Sequence, residues 1–231
     1  MRKIAALAVV AALAACGGSD SPPAPTTVTG NVGGTPFTQR DQAALFGQAS
    51  SCSLAIAQGT PVSVSIAVAD LADYAGVCTA ATTCANHANS TSITLIIARA
   101  SVLQPSTPPG FTPNQNYTFI DLAALGGGTP PTLPTTDPLP IFTAIVMKLG
   151  AQCQPTPVQV TGGTLKVTGS SGTSSIAGTV TLNLATGETL TGGFSASSCA
   201  GVPVFDACTA LNGILGGSAP SFCGSQTPTC N

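Results

Sequence analysis

The chain has 231 residues, of which 43% are hydrophobic and only 6% charged, with a formal net charge of −2. That length suits one domain or two small ones. Six lysines and arginines in all cannot build the basic patch that a phosphate backbone demands, so nucleic acid is excluded as a partner. Scarce charge does not mean disorder here, because the apolar residues fall in patterned segments. The solvent-facing side must be built from Thr, Ser, Gly, Asn and Gln instead.

Met1-Arg2-Lys3 is a short positive start, and an uncharged apolar run follows from Ile4 to Ala14. Eleven residues are too few to span a bilayer, which takes about 20. A basic start, a short apolar run and small residues after it describe a secretory signal over residues 1–15. The end of the run, Leu13-Ala14-Ala15-Cys16, resembles the lipobox of bacterial lipoproteins. The resemblance implies cleavage before Cys16, a diacylglycerol on its thiol and a third acyl chain on the new amine. Gly17, where an aspartate would imply inner-membrane retention, implies an outer-membrane address. Each buried methylene contributes about 0.8 kcal/mol, so two or three chains make a lasting anchor. Gly17 to Thr27 holds no large apolar residue and reads, with the lipidated Cys16, as a tether over 16–27.

Beyond the tether the strand signal dominates. Asp41 to Gly47 suggests a turn or two of helix. Val62, Val64, Ile66 and Val68 alternate with small residues as one strand, ended at Asp70. Asp73 to Ala88 suggests a short helix. Ser92 to Ala98 reads as a strand apolar on both faces, and Tyr117 to Ile120 as a short one. Ile141 to Leu149 is a further strand buried on both sides. Proline-rich loops at 104–113 and 126–140 separate these segments. Val158–Val160, Thr164–Thr168, Ile176–Leu184 and Thr189–Ser195 form a run of short strands. Gly162-Gly163, Gly169 to Gly172 and Thr186-Gly187-Glu188 are the turns expected between them. Ile176, Val180, Leu182 and Leu184 share one parity and face the core, with Ala177, Thr179, Thr181 and Asn183 outward. Thr209 to Leu215 suggests a tail helix. The whole reads as all-β, an antiparallel sandwich or open barrel over 28–199 with minor helices and a Cys-rich tail at 200–231 packed on it.

Nine cysteines less the lipidated one leave eight: Cys52, Cys78, Cys84, Cys153, Cys199, Cys208, Cys223 and Cys230. An even set in an exported chain implies disulfides. Closeness in sequence favours local pairs, such as Cys78 with Cys84 and pairs within the tail.

The order of features also resembles bacterial lipoproteins of uncharacterised function. The matching segments are Gly30 to Phe37, a strand leading into Asp73-Tyr-Ala-Gly-Val-Cys78, the stretch Ser92 to Ala98, and Ile176 to Cys199. The resemblance implies a β architecture and an envelope address, and no activity.

His87 is the single histidine. Cys78, Cys84 and His87 have a spacing that touches on metal ligation, but no second ligand cluster accompanies them, so no metal is expected. A disulfide with an exposed His87 is the simpler reading. A hydrolase using His87 as base is the enzymatic alternative, although no G-x-S-x-G elbow occurs. Asp70 and Asp73 could suggest a carboxylate pair, but a solvated turn explains them. The sequence thus points to a non-enzymatic binding or structural module held to the membrane by its lipid, without cofactor. Its uncharged faces suit carbohydrate or protein ligands, and an exposed apolar patch on the loops would mark a binding site.

Overall fold

The computed structural model of the chain describes residues 27–53, 61–121, 136–200, 202, 205–215 and 229–231. The order is β1 (Thr29–Val32), β2 (Thr35–Thr38), β3 (Asp41–Ser53), β4 (Pro61–Ala72), α1 (Val77–Thr83), β5 (Ala85–Asn86), β6 (Thr91–Ser101), β7 (Gln115–Phe119) and β8 (Leu139–Leu149). Then come β9 (Pro155–Val158), β10 (Val160–Ser171), β11 (Ser175–Leu184), β12 (Thr189–Ser197), α2 (Ala207–Leu215) and β13 (Thr229–Cys230). Eleven strands form one sheet in the order β2-β1-β12-β11-β10-β7-β8-β6-β4-β3, with β9 on β8. Its pairings are antiparallel except β7 with β8.

The sheet curls until β3 meets the far end of β12. The Cys199 amide donates to the Ala44 carbonyl (3.3 Å), and the Ser195 amide to Gln42 Oε1 (2.9 Å). The open-barrel form of the expected fold is therefore the one observed. Its interior is filled: Phe37, Leu71, Ile93, Leu95, Ile97, Phe142, Leu165, Leu182, Leu190 and Phe194 pack in one cluster.

Local sequence explains most elements. In β11, Ile176, Gly178, Val180, Leu182 and Leu184 are all buried, and the alternating Ala177, Thr179, Thr181 and Asn183 are not. The β1–β2 hairpin turns at Gly33 and Gly34, whose φ values of 53° and 73° suit glycine. Asp206 caps α2, accepting from the Cys208 amide (2.9 Å) and the Thr209 hydroxyl (2.8 Å).

Four expectations need correction. Asp41 to Gly47 is strand, not helix: Ala44 and Phe46 face the interior and Leu45 packs outward, so tertiary pairing overrides the helix propensity of its alanines. Gly47 has a packing role there, since a Cβ would lie 2.6 Å from the Phe205 ring of the returning tail. Asp70 does not end its strand, because β4 runs on to Ala72. Gly162-Gly163 is no turn but lies inside β10, just past a bulge between Val160 and Gly162. Likewise β10 continues through Gly169 to Ser171, leaving the turn at 172–174.

The cysteine pairing also departs from the local guess. The described disulfides are Cys52–Cys208, Cys78–Cys199 and Cys153–Cys230, with sequence separations of 156, 121 and 77 residues. Cys84 is disulfide-bonded too; Cys16 and Cys223 lie outside the described residues. The returning chain, rather than sequence proximity, brings the partners together. The first bond fixes α2 to β3, the second fixes α1 to the end of β12, and the third holds β13 beside β5. Such bonds belong to an oxidising, non-cytoplasmic compartment. Among the described residues no helix is long and apolar enough to cross a membrane.

Candidate functional site

The outer face of β10, β11, β12, β1 and β2 carries a row of threonines. Register aligns Thr164 with Thr181, Thr181 with Thr191, Thr191 with Thr29, and Thr29 with Thr38. Strands lie roughly 4.8 Å apart, so five such residues extend over roughly 19 Å. Thr181 and Thr191 share a hydroxyl–hydroxyl hydrogen bond of 3.1 Å. A second row, Asn116, Lys166 and Thr179, runs beside the first. Between the rows lies a shallow groove of about 370 Å³, lined on its outer side by Asn116, Thr164, Lys166, Thr179, Thr181 and Thr191. Gly192 lies at its edge and adds no side chain to fill it.

Alternation produces this face. Each inward Val, Leu or Ile forces its neighbours outward, and in T-V-T-L-N-L (Thr179–Leu184) those neighbours are Thr and Asn. Above a floor that includes Tyr117, Leu165 and Val180, the groove presents neutral hydroxyl and amide groups with one ammonium, and its lining holds no carboxylate, histidine or thiol. Chemically it can donate and accept hydrogen bonds toward a ligand that is itself rich in hydroxyls.

The residues singled out in the sequence gather elsewhere, around α1. His87 is half-buried rather than exposed. Its ring stacks on Tyr74 with centroids 4.1 Å apart and 27° between planes, and makes no hydrogen bond to a serine or carboxylate among the described residues. Cys78 is bonded to Cys199, and Cys84 is also oxidised, so neither sulfur is a free ligand.

Asp70 and Asp73 are not a solvated turn. Asp70 sits in β4 on the wall of a small cavity of about 60 Å³ with Val77, Ala81, Thr94 and Cys199. Burial raises its pKa to about 6 against the hydrogen bond from the Thr94 hydroxyl (3.2 Å). Asp73 Oδ1 instead accepts from the Thr91 amide (2.9 Å). Asp41 Oδ2 holds the start of α1 through the amides of Gly76 (2.6 Å) and Val77 (3.0 Å). Burial opposes ionisation there, yet the amides of Val77, Gln42 and Gly76 together keep this carboxyl below its usual range. Burial, aided by the charges of Asp70, Asp73 and Asp41, pushes the Tyr74 phenol far above its ordinary value. These carboxylates and the Tyr74–His87 pair thus form one structural cluster bracing α1.

The loop patch expected for a binder is small. Val102 and Leu103, 50% and 78% exposed, stand just before the 104–113 loop; residues 126–135 of the second loop lie outside the described residues. Sequence reasoning missed the threonine row because register is a long-range property. The repeated T-x-T spacing in Thr179–Thr181 and Thr189–Thr191 was its visible trace. No family model matches this chain, and no characterised protein or solved structure shows significant similarity to it.

Proposed function

We propose that this chain is a lipid-anchored protein of the bacterial envelope, tethered through Cys16 and addressed to the outer membrane, that acts as a non-enzymatic binding module. Its ligand is a neutral carbohydrate chain laid across the strands of the threonine face. The observation that carries this reading is the unbroken row from Thr164 to Thr38, beside a groove with a single charged residue, Lys166. A hydroxyl row offers paired donors and acceptors at strand spacing, which suits successive sugar hydroxyls better than a charged or apolar partner. The lipid-bearing start, the tether after it and the oxidising compartment supply the address.

Two measurements test the reading. Mass spectrometry of membrane-extracted protein should find residue 16 as the first residue, carrying a diacylglycerol; a chain retaining residues 1–15, or a bare Cys16, ends the anchor proposal. Neutral oligosaccharides on a glycan array should retain the protein. The shape-conserving Thr181→Val/Thr191→Val variant should lose about thirtyfold in affinity, as two net hydrogen bonds of about 1 kcal/mol each imply. Absent retention, or undiminished retention by the variant, ends the ligand proposal.

A further inference from the structure

Arg99 is a single cation in an otherwise apolar strand, Ile93-Thr-Leu-Ile-Ile-Ala-Arg-Ala-Ser101. Its strand neighbours fix its direction. Ile93, Leu95 and Ile97 belong to the interior cluster and Ile96, Ala98 and Ala100 to the outer one, so Arg99 points into the barrel. It is 8% exposed. Register sets it directly beside Ser65 of β4 and Pro140 of β8. Thr118 pairs with Ile141, which puts Tyr117 next in the same transverse row. Ser65 and Tyr117 are interior residues as well, 0% and 5% exposed.

Three donors in this row have no partner among the described residues: Arg99 Nε, the Ser65 hydroxyl and the Tyr117 hydroxyl. The next row shows that this is not general to the barrel end. Ser63 Oγ donates to the Gln104 carbonyl (2.7 Å), and Ser101 Oγ accepts from the Gln104 amide (3.0 Å). Arg99 itself uses only Nη1, which donates to the Gly110 carbonyl and to Thr112 Oγ1 (2.6 Å), both neutral acceptors in the β6–β7 loop. Its Nε edge, the side of a guanidinium that grips a carboxylate with two parallel bonds, is left unused. Burial pushes the Tyr117 phenol up to about 12 while the nearby Arg99 charge works against that rise, so the two groups sense one another.

A buried charge is stable only when paired, and the contacts described for Arg99 are to neutral acceptors only. Asp41, Asp70, Asp73, Asp137, Glu188 and Asp206 are engaged by other donors. The interior beyond the row is packed with aromatic and aliphatic side chains, which leaves no place for a bulky ligand.

We infer that Arg99, Ser65 and Tyr117 form a site for a small carboxylate, with the guanidinium Nε edge taking both carboxylate oxygens and the two hydroxyls donating to them. The β6–β7 loop, held over the site by Arg99 Nη1 and by Ser170 Oγ on the Phe111 carbonyl (2.9 Å), is the cover that moves to admit it. This inference is independent of the threonine face.

Thermal unfolding of the full-length protein in detergent tests it, with sodium acetate titrated against sodium chloride and sodium phosphate at matched ionic strength and pH 7. Acetate should raise the melting temperature saturably, as a ligand of the folded state does, and Arg99→Gln should abolish the rise. Tyr117→Phe keeps the ring and should fold; losing one hydrogen bond to a charged group should raise the acetate midpoint about tenfold. No acetate effect on the wild type, an equal effect of chloride and phosphate, or an unchanged midpoint in Tyr117→Phe would each overturn the assignment.

Discussion

The two halves of the curled sheet are built from different sequence patterns and meet different surroundings. In β4, β6 and β8 both faces are buried: Ala67, Leu71, Ile93, Leu95 and Phe142 line the interior, while Val64, Ile66, Val68, Ile96 and Ile141 pack in an outer layer with Ala207 and Leu211 of α2. In β10, β11 and β12 one face fills the interior and the other carries threonine to solvent. A face covered by the chain's own tail is committed to stability. The face left open is where a ligand can dock, which is why the functional proposal falls on the half that alternates.

Disconnecting the cover is the strongest way to break that contrast. Cys52–Cys208 is the covalent link between β3 and α2. Replacing both by serine should cost about 2–5 kcal/mol in denaturant unfolding and increase binding of a hydrophobic dye as the outer layer opens. Retention of neutral oligosaccharide should be unchanged at temperatures where the variant is folded. A variant as stable as wild type would mean that the outer layer of β4 and β6 does not depend on its helical cover.

The contrast also explains what the sequence could tell. Where one face is wet the side-chain parity is written in the residues, and β11 was legible residue by residue. Where both faces are dry, strands such as Ile93–Ile97 declare burial but not direction. For β3 the segment Asp41–Gly47 read as a turn or two of helix, and only pairing with β4 along Asp41–Ala49 made it strand. Gly162 and Gly163 read as a turn because glycine breaks strands in isolation, whereas here β11 pairs with both. Disulfide partners, the threonine row and the convergence of Ser65, Arg99 and Tyr117 are all products of topology. For Arg99 the local trace was a lone cation in an apolar run, which flags a buried charge without naming its neighbours.

Asp70 is the exception within the covered half, an acid on the outer side of β4 beneath α1. Its pKa is raised from 3.8 to about 6 by burial. Between those values the folded chain holds a proton that the unfolded chain has released, so this group's contribution to stability falls as pH rises through that window. Asp70→Asn should remove the loss and stabilise the protein at pH 7 by about 1–3 kcal/mol, with little change at pH 4. The figure belongs near its lower end because the side chain keeps some contact with solvent. Chemical denaturation at the two pH values checks this, and a variant less stable than wild type at pH 7 would show that the ionised carboxylate holds α1 rather than straining it.

The smallest expected effect concerns the place where the halves touch across the barrel end. Glu188, in the β11–β12 turn, accepts from the amides of Gly33 (2.6 Å) and Gly34 (2.7 Å) and from Thr186 Oγ1 (2.7 Å). From the other half, Lys148 of β8 donates to the Val32 carbonyl (3.1 Å) and Thr35 Oγ1 (3.0 Å). The hairpin is thus gripped on both sides. The Gly34 amide, then Thr186, with smaller help from Gly33 and Lys148, holds the Glu188 carboxyl below its usual value of 4.5. A depressed carboxylate stabilises the fold above its unfolded pKa and loses that contribution as pH falls through the lower, folded one. Glu188→Gln should therefore flatten the acid limb of the stability curve below pH 4.5 and shift the neutral value slightly, because the group is exposed and screened by salt. A double-mutant cycle with Lys148→Met reads whether the two grips act together: a coupling that vanishes at high salt is expected, and one that is zero at low salt would mean that the hairpin answers to each half separately.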